Sequence, residues 1–407
     1  MEDLLVRYVT EIERELEKRG RSRWWGPVTS FSENVRRALL TVKRHCLLDG
    51  LYKWEEGVPV WVPLAPECPS EEVLKEYVYA NTPVVTKVSP QGEPLSSSSE
   101  PVLVASMLEL LELKPGMKVL EIGTGTGYNA ALLAEIVGDQ SLVTTLEIQS
   151  DVAERANRLL RAAGYGGVQV RCADGFYGWP EEAPYDRIVA TTCCADISPH
   201  WLQQVAPQGW MLVPLCHGGK GWAPLTQVSP DGRGRVLALA GFGPATGMLA
   251  DPGPWYQAPV PTSWPSGEGL TGRKMAWSSE DVWDFVLSLS HFHYFLALND
   301  PGACLYWRSG VYQVLWDAKL TAGAFLSRDN NEWVRVTGSQ ELGERLERNY
   351  REYKELGEPR VEDYRMEFLL RPAPREASRA VPGVRRVGPR EWVIERRFTI
   401  QRVWLPA

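Results

Sequence analysis

Long apolar runs are absent from this 407-residue sequence, and none approaches the roughly 20 residues of a membrane-crossing helix, so no membrane partner is expected. Basic residues are outnumbered, 44 Lys and Arg against 51 Asp and Glu, for a formal net charge of −7. A phosphate backbone demands a basic face, so no nucleic-acid partner is expected either. Cysteine is sparse and unpatterned. The seven cysteines are scattered without a CxxC pair, which argues against a disulfide framework or a metal site and reads as reduced thiols in a cytoplasm. The vicinal Cys193-Cys194 ends an apolar run and reads as packing. The opening Met1-Glu2-Asp3 is acidic and lacks the apolar core of a signal peptide, in keeping with a cytoplasmic location.

What is present is ordinary for a globular protein, 44% apolar and 23% charged. The length exceeds one comfortable core, so two domains are expected. Leu5, Val9, Ile12 and Leu16 recur at helical spacing and predict an amphipathic helix over 3–18. A second helix is expected from Ser30, whose spacing to Glu33 is a capping-box signature, with Val35, Leu39 and Val42 as its apolar stripe. Residues 1–80 thus read as a helical segment packing on the domain C-terminal to it. Over 81–249 short β-rich runs alternate with helical patterns. The runs are Lys118–Ile122, Leu142–Ile148, Val168–Cys172, Arg187–Thr191, Trp210–Leu215 and Val236–Leu239, with helices near 128–137, 150–163 and 199–205. That alternation predicts an α/β, doubly wound parallel sheet with helices on both faces.

Residues 250–275 are dense in Pro, Gly and Ser and read as a linker. Beyond it, 276–407 reads as a separate α+β domain. Its strand-like runs are Tyr294–Leu298, Ala303–Arg308, Val311–Trp316, Trp333–Val336, Tyr364–Leu370 and Trp392–Val403, with a polar helix near 340–356 and a mobile loop over 371–390.

The strongest local signal is Val119-Leu120-Glu121-Ile122-Gly123-Thr124-Gly125-Thr126-Gly127, a buried strand entering a glycine-rich turn that opens a helix. Glycines there let the backbone bend sharply and approach a ligand closely. Glu147 ends the next strand, placed to accept from ribose hydroxyls, and Asp174-Gly175 lies just past the third, where an adenine amino group needs an acceptor. A lone glycine motif also serves nicotinamide and flavin cofactors. The Gly-x-Gly-x-Gly spacing tilts away from a pyrophosphate loop.

These residues carry a resemblance. The matching stretches are Val35–Leu48, Tyr77–Pro83, the Ser-rich segment before Pro101, Leu113–Gly116, the glycine motif with Tyr128, Tyr185–Val189 and Leu202–Pro214. From Val35 to Leu249, about half the chain, the sequence resembles the protein-L-isoaspartate O-methyltransferase family. The resemblance implies a class I S-adenosylmethionine-dependent methyltransferase fold of Rossmann-like type and S-adenosyl-L-methionine as cofactor. Glu121, Gly123, Thr124, Gly125 and Gly127 then lie toward the methionyl end, Glu147 at the ribose, and Asp174 with Gly175 near the adenine. The family's acceptor motif falls on Ser96-Ser97-Ser98-Ser99-Glu100-Pro101, which implies catalytic roles for Ser97, Ser98 and Ser99, with Ser99 at the family's serine. Pro101 marks the first turn of a helix with apolar positions Leu103, Val104, Met107, Leu108 and Leu111. Free amides and serine hydroxyls at such an N-terminus would cradle a carboxylate.

Two features depart from the family's repair enzymes. Glu100 puts a charge where the family has none, and the chain continues for about 150 residues past the resembling region. In its serine-rich motif and its long C-terminal extension the sequence resembles a branch of the family that methylates one aspartate of a ribosomally made, modified and often macrocyclic precursor peptide, a partner of ATP-grasp crosslinking enzymes, whose ester collapses to an aspartimide. That aspartate is the leading expectation for the acceptor, isoaspartyl repair or another acceptor being the alternatives. Tryptophans 255, 264, 277, 283, 307, 316, 333, 392 and 404 lie past residue 250 and would suit a peptide-binding face. Those inside strand runs read as core, and Trp255 and Trp264 as the better surface candidates. A chain ending near Ala250 is on this reading expected to keep its donor site.

Overall fold

The computed structural model describes residues 2–21, 27–64, 70–217, 222–250, 272–274, 282–308, 311–316, 323–327, 333–336, 340–372 and 383–407. The chain opens with α1 (Glu2–Arg21) and α2 (Glu33–Thr41). Leu5, Val9, Ile12 and Leu16 are buried as their periodicity predicts, and so are Val35, Leu39 and Val42. The expected cap is displaced by two residues. Ser32, not Ser30, accepts from the Val35 amide, because Glu109 holds Ser32 by accepting from its amide and its hydroxyl.

Two hairpins come next, β1 (Gly50–Glu55) with β2 (Val58–Pro63) and, after the single turn α3 (Glu71–Val73), β3 (Val84–Val88) with β4 (Pro94–Ser98). Helix α4 (Pro101–Leu110) starts on its proline, whose missing N–H costs nothing at a first helical position. Every residue of α4 but Glu109 is buried, so it runs through the core.

The central unit is β5 (Val119–Ile122), α5 (Tyr128–Val137), β6 (Val143–Glu147), α6 (Ser150–Ala162), β7 (Gln169–Cys172), β8 (Tyr185–Ala190), α7 (Pro199–Gln204) and β9 (Val205–Pro214). The strands run parallel in the order β7-β6-β5-β8-β9, with Glu121 beside Thr145 on one side and Val189 on the other. Strands β5 and β6 are buried along their whole length, as a sheet covered on both faces requires. The doubly wound α/β expectation holds. Antiparallel β10 (Ala223–Val228) and β11 (Arg233–Ala240) extend the sheet. Strand β10 is not foreseen, since its second residue, Pro224, demotes the run.

The segment after residue 275 is not the stand-alone unit expected. Strands β12 (Gly272–Lys274), β13 (Ala303–Arg308), β14 (Val311–Trp316), β15 (Gly323–Ser327) and β16 (Trp333–Val336) form one sheet in the order β12-β16-β15-β14-β13. Strands β17 (Arg365–Leu370), β18 (Gly383–Gly388), β19 (Glu391–Glu395) and β20 (Thr399–Trp404) instead join the central sheet through β11, at Arg233 beside Glu367, making eleven strands. The single strand expected over 392–403 is the antiparallel pair β19–β20, and β18 occupies part of the expected loop. Residues 294–298 are not a strand but the last turns of α8 (Val282–Asn299). Phe292, Tyr294, Phe295, Leu296 and Leu298 of that helix are all buried, and an apolar run without periodicity does not distinguish helix from strand. The polar helix is α9 (Gln340–Glu355).

The join is chemical as well as topological. Buried Asp196, just past β8, accepts from the amides of Phe398 and Thr399 and from the Thr399 hydroxyl, while Arg396 donates to the carbonyls of Ala195 and Cys216. Trp316 and Trp392 are buried. Trp255, Trp264 and Trp277, and the side chains of Trp283, Trp307 and Trp333, lie outside the described residues. No described helix is long and apolar enough to cross a membrane.

Candidate active site

The turn between β5 and α5 is shaped by three glycines in left-handed conformations, with φ of 104° at Gly123, 53° at Gly125 and 82° at Gly127. Their reasons differ. A Cβ on Gly123 would stand 2.6 Å from Thr191 Oγ1, and one on Gly127 2.9 Å from Leu160, so packing alone requires both glycines. A Cβ on Gly125 would face 3.1 Å to the carbonyl of Ser97 and 3.9 Å to Ser96 Oγ. The middle of the turn therefore lies directly against β4, the serine strand.

Glu121 sits beneath the turn with no exposed surface. Thr145 Oγ1 donates to it at 2.6 Å and Asn129 Nδ2 at 2.7 Å, and burial pushes its carboxyl up to about 7. The Thr124 hydroxyl joins the same network, 2.8 Å from Thr145 Oγ1. Glu121 and Thr124 thus brace the turn from below. Both side chains are engaged in this buried network, Glu121 with no exposed surface and Thr124 with almost none. Glu147 ends β6 against the turn. It accepts from the amides of Gly125 and Gln149, both at 3.1 Å, and burial raises its pKa. Those bonds leave lone pairs on both oxygens.

Asp174 accepts from the Phe176 amide at 2.9 Å and from the Met248 amide at 3.0 Å. The turn Gly247–Leu249 is thereby drawn over the third strand's end, and a Cβ on Gly247 would strike both Asp174 and Ile148. Gly175 serves packing, since a Cβ there would meet Ile122 at 2.4 Å. Glycine turn, Glu147, Asp174 and Ile148 thus line one edge of the parallel sheet, beyond the carboxyl ends of its strands, where open α/β sheets bind ligands. The backbone closeness at Gly125 and the spare acceptors on Glu147 fit a nucleoside-bearing ligand with a ribose diol.

The serine segment is held by a residue that carries no functional signal in the sequence. Arg44 is fully buried and forms no described ion pair. Its Nε donates to Ser98 Oγ at 3.0 Å, Nη1 to the Val78 carbonyl at 2.8 Å, and Nη2 to the carbonyls of Ser98 and Ser99 at 3.0 and 2.8 Å. The guanidinium also lies 5.7 Å from the ring centroid of Tyr128, the first residue after the glycine turn. One cation therefore ties the serines to the turn. Ser98 is buried against it, which corrects its expected catalytic role, whereas the hydroxyls of Ser97 and Ser99 have no described partner. The cradle at the start of α4 is also revised. Asn81 Oδ1 takes the Val102 amide at 3.0 Å and Asn81 Nδ2 donates to Glu100 at 3.3 Å, so asparagine rather than serine caps the helix and holds Glu100. No group of three or more His, Cys, Asp or Glu able to hold a metal ion occurs among the described residues.

Comparison with known proteins agrees with this geometry. Residues 67–237 match the family described as Protein-L-isoaspartate(D-aspartate) O-methyltransferase. The chain is 37% identical over 183 residues to the protein-L-isoaspartate O-methyltransferase of Ignicoccus hospitalis, covering 45% of this chain and 82% of that one. It is 43% identical over 144 residues to protein-L-isoaspartate O-methyltransferase 2 of Archaeoglobus fulgidus, covering 35% of this chain but 63% of that one. Against protein-L-isoaspartate O-methyltransferase 1 of Nitrosospira multiformis the chain spans 48% of the relative's length. A solved protein-L-isoaspartate O-methyltransferase superposes with a TM-score of 0.49 at 23% identity, over 88% of this chain and 95% of that one. The fold is that of the class I S-adenosylmethionine-dependent methyltransferases, and the chain belongs to the protein-L-isoaspartate O-methyltransferase family.

Proposed function

We propose that this chain is an S-adenosylmethionine-dependent carboxyl O-methyltransferase acting on isoaspartyl residues of peptides or proteins. The observation that supports the reading is the contact between the glycine turn and the serine strand, the two segments that a methyl donor and an acceptor carboxylate would need side by side. S-adenosylmethionine, when bound, supplies an electrophilic sulfonium methyl. Glu147 would hold its ribose and the Gly125 backbone its amino-acid end, with Asp174 and Ile148 beside the base. An acceptor carboxylate has a pKa near 4 and is ionised at neutral pH, so no general base is needed. The protein's work is to strip water from one oxygen and aim it along the line of transfer. Ser97 and Ser99 donate to the acceptor's other oxygen, and Arg44 fixes the backbone that carries them.

A second reading keeps the same chemistry and changes the acceptor to one aspartate of a ribosomally made, modified precursor peptide, the ester closing to an aspartimide. It is favoured by the chain beyond residue 237, where the family match ends, which adds four strands to the catalytic sheet and a second sheet beside it. Mass spectrometry after incubation with the donor distinguishes the two. A gain of about 14 Da on an isoaspartyl peptide, followed by loss of methanol as the backbone nitrogen closes the succinimide, supports repair. The same gain confined to a normal aspartate in a constrained peptide supports tailoring. Stable methylation on nitrogen refutes both.

A further inference from the structure

The hairpin β1–β2 lies wholly before residue 67, where the family match begins, and it carries exposed aromatic surface. In its register Tyr52 faces Trp61 and Trp54 faces Pro59, so these four share one face. Trp54 is 43% and Trp61 39% exposed, and Trp61 stands edge-on to Tyr52 with centroids 5.0 Å apart. A two-stranded ribbon gains little by presenting two tryptophans to water. Pro59 and Pro63 in β2 lack the amides that would recruit another strand, so side chains rather than backbone would do the recruiting.

The face leads to the active site. Pro59 packs on Gly92 in the turn between β3 and β4, since a Cβ on Gly92 would lie 3.3 Å from the Pro59 ring. Strand β4 then carries exposed Leu95, 46% exposed, on to Ser97 beside Gly125. Five residues from Gly92 to Ser97, at about 3.3 Å each, put the hairpin roughly 16 Å from the methyl donor turn. The hairpin tip is acidic, with Glu55 and Glu56 exposed, while Lys53 is engaged over the Tyr77 ring at 4.5 Å.

We propose that this hairpin is the docking surface for the acceptor peptide. An extended segment would lay an apolar side chain on Trp54 and Trp61 about five residues from the methylated carboxylate, and a Lys or Arg just beyond it against Glu56 at the hairpin tip. The inference rests on the carboxyl-methyltransferase reading for its acceptor and adds where that acceptor is gripped. Contacts remote from the reacting atom supply selectivity that near-identical carboxylates lack.

The test uses the full chain and three fluorescein-labelled isoaspartyl peptides: a short one of about five residues, a long one with Phe-Arg about five residues from the isoaspartate, and the long one with Gly-Glu there. Anisotropy is expected to show the Phe-Arg peptide binding about tenfold tighter than either of the others. Trp54→Ala and Glu56→Lys should each abolish that advantage. Neither variant should change donor affinity by calorimetry or turnover of the short peptide. Equal binding of the two long peptides, or an advantage that survives both variants, overturns the proposal. A change of oligomeric state in Trp54→Ala by ultracentrifugation also overturns it, in favour of a second copy of the chain. Specific binding of the Phe-Arg peptide without methyl transfer to any peptide would uphold the hairpin and refute the activity.

Discussion

Replacing Glu121 by glutamine tests whether the carboxylate under the glycine turn is carried at a cost. Its folded pKa of about 7 lies above the ordinary 4.5 because burial opposes its charge, an effect that the bonds from Thr145 and Asn129 only partly offset. A carboxyl raised in this way favours folding while protonated, and the benefit is lost as pH rises from 4.5 through 7. The unfolded chain gives up its proton first, so stability falls across that window and levels off above it. Converted at about 1.4 kcal/mol per pH unit, the loss is about 3 kcal/mol for a fully buried group. Glutamine has nearly the same shape, keeps an acceptor for Asn129, and never ionises. Urea unfolding of wild type and Glu121→Gln at pH 5, 6, 7 and 8 measures the difference directly. The variant should lie below or near wild type at pH 5 and gain on it by about 3 kcal/mol at pH 8. Parallel curves would mean that Glu121 is not titrating in this range, and the account of the turn's foundation would fail.

The same contacts set four further outcomes. Arg44→Met should cost about 3–5 kcal/mol in urea unfolding, because it strands the carbonyls of Val78, Ser98 and Ser99, and a loss under 1 kcal/mol would refute the clamp. Ser97→Ala combined with Ser99→Ala should cut turnover more than tenfold with unchanged donor affinity, whereas Ser98→Ala should chiefly lower stability, by about 1 kcal/mol; the reverse pattern would return the catalytic role to Ser98. Gly125→Val should abolish donor binding in calorimetry, since a branched side chain at a φ of 53° is strained and also fills the gap to Ser97. A chain ending at Ala250 should be insoluble or melt far below wild type, because β11 becomes an open edge and buried Asp196 loses its partners on Phe398 and Thr399. A truncated protein that binds donor normally would restore the picture of a detachable domain.

The parallel half of the sheet is legible in the sequence because its signals are local. A strand buried on both faces is an uninterrupted apolar run, and a glycine turn must sit where it ends, so Val119 to Gly127 announces both the fold and the glycine turn. Glu147 and Asp174 are legible for the same reason, as acids at strand ends. Sequence alone does not reveal that Glu121 and Thr124 share a buried network, because it places a residue on a strand or turn without saying which way its side chain goes. Here Thr145, from the neighbouring strand, draws both inward. Arg44 and Asn81 give no signal of their own. Each acts on backbone at least 21 residues away, through carbonyls and amides that every residue type but proline possesses.

The C-terminal segment shows why domain boundaries drawn from composition mislead. A stretch rich in Pro and Gly marks where the chain leaves one element, not where it goes next. Sheet membership is decided by which edge is open, and β11 offers one that β17 closes in antiparallel register. The choice is then sealed by ionic chemistry distributed across the chain. Asp196 is a buried acid whose four described bonds include three from residues 398 and 399, and Arg396 supplies the neighbouring positive charge. Removing one partner of such a pair costs far more than the pair contributes intact, so the two segments must fold together or not at all. The extension is therefore part of the central sheet, and it is bonded to the loop after β8, which also carries Thr191, whose hydroxyl donates to the carbonyl of Gly123.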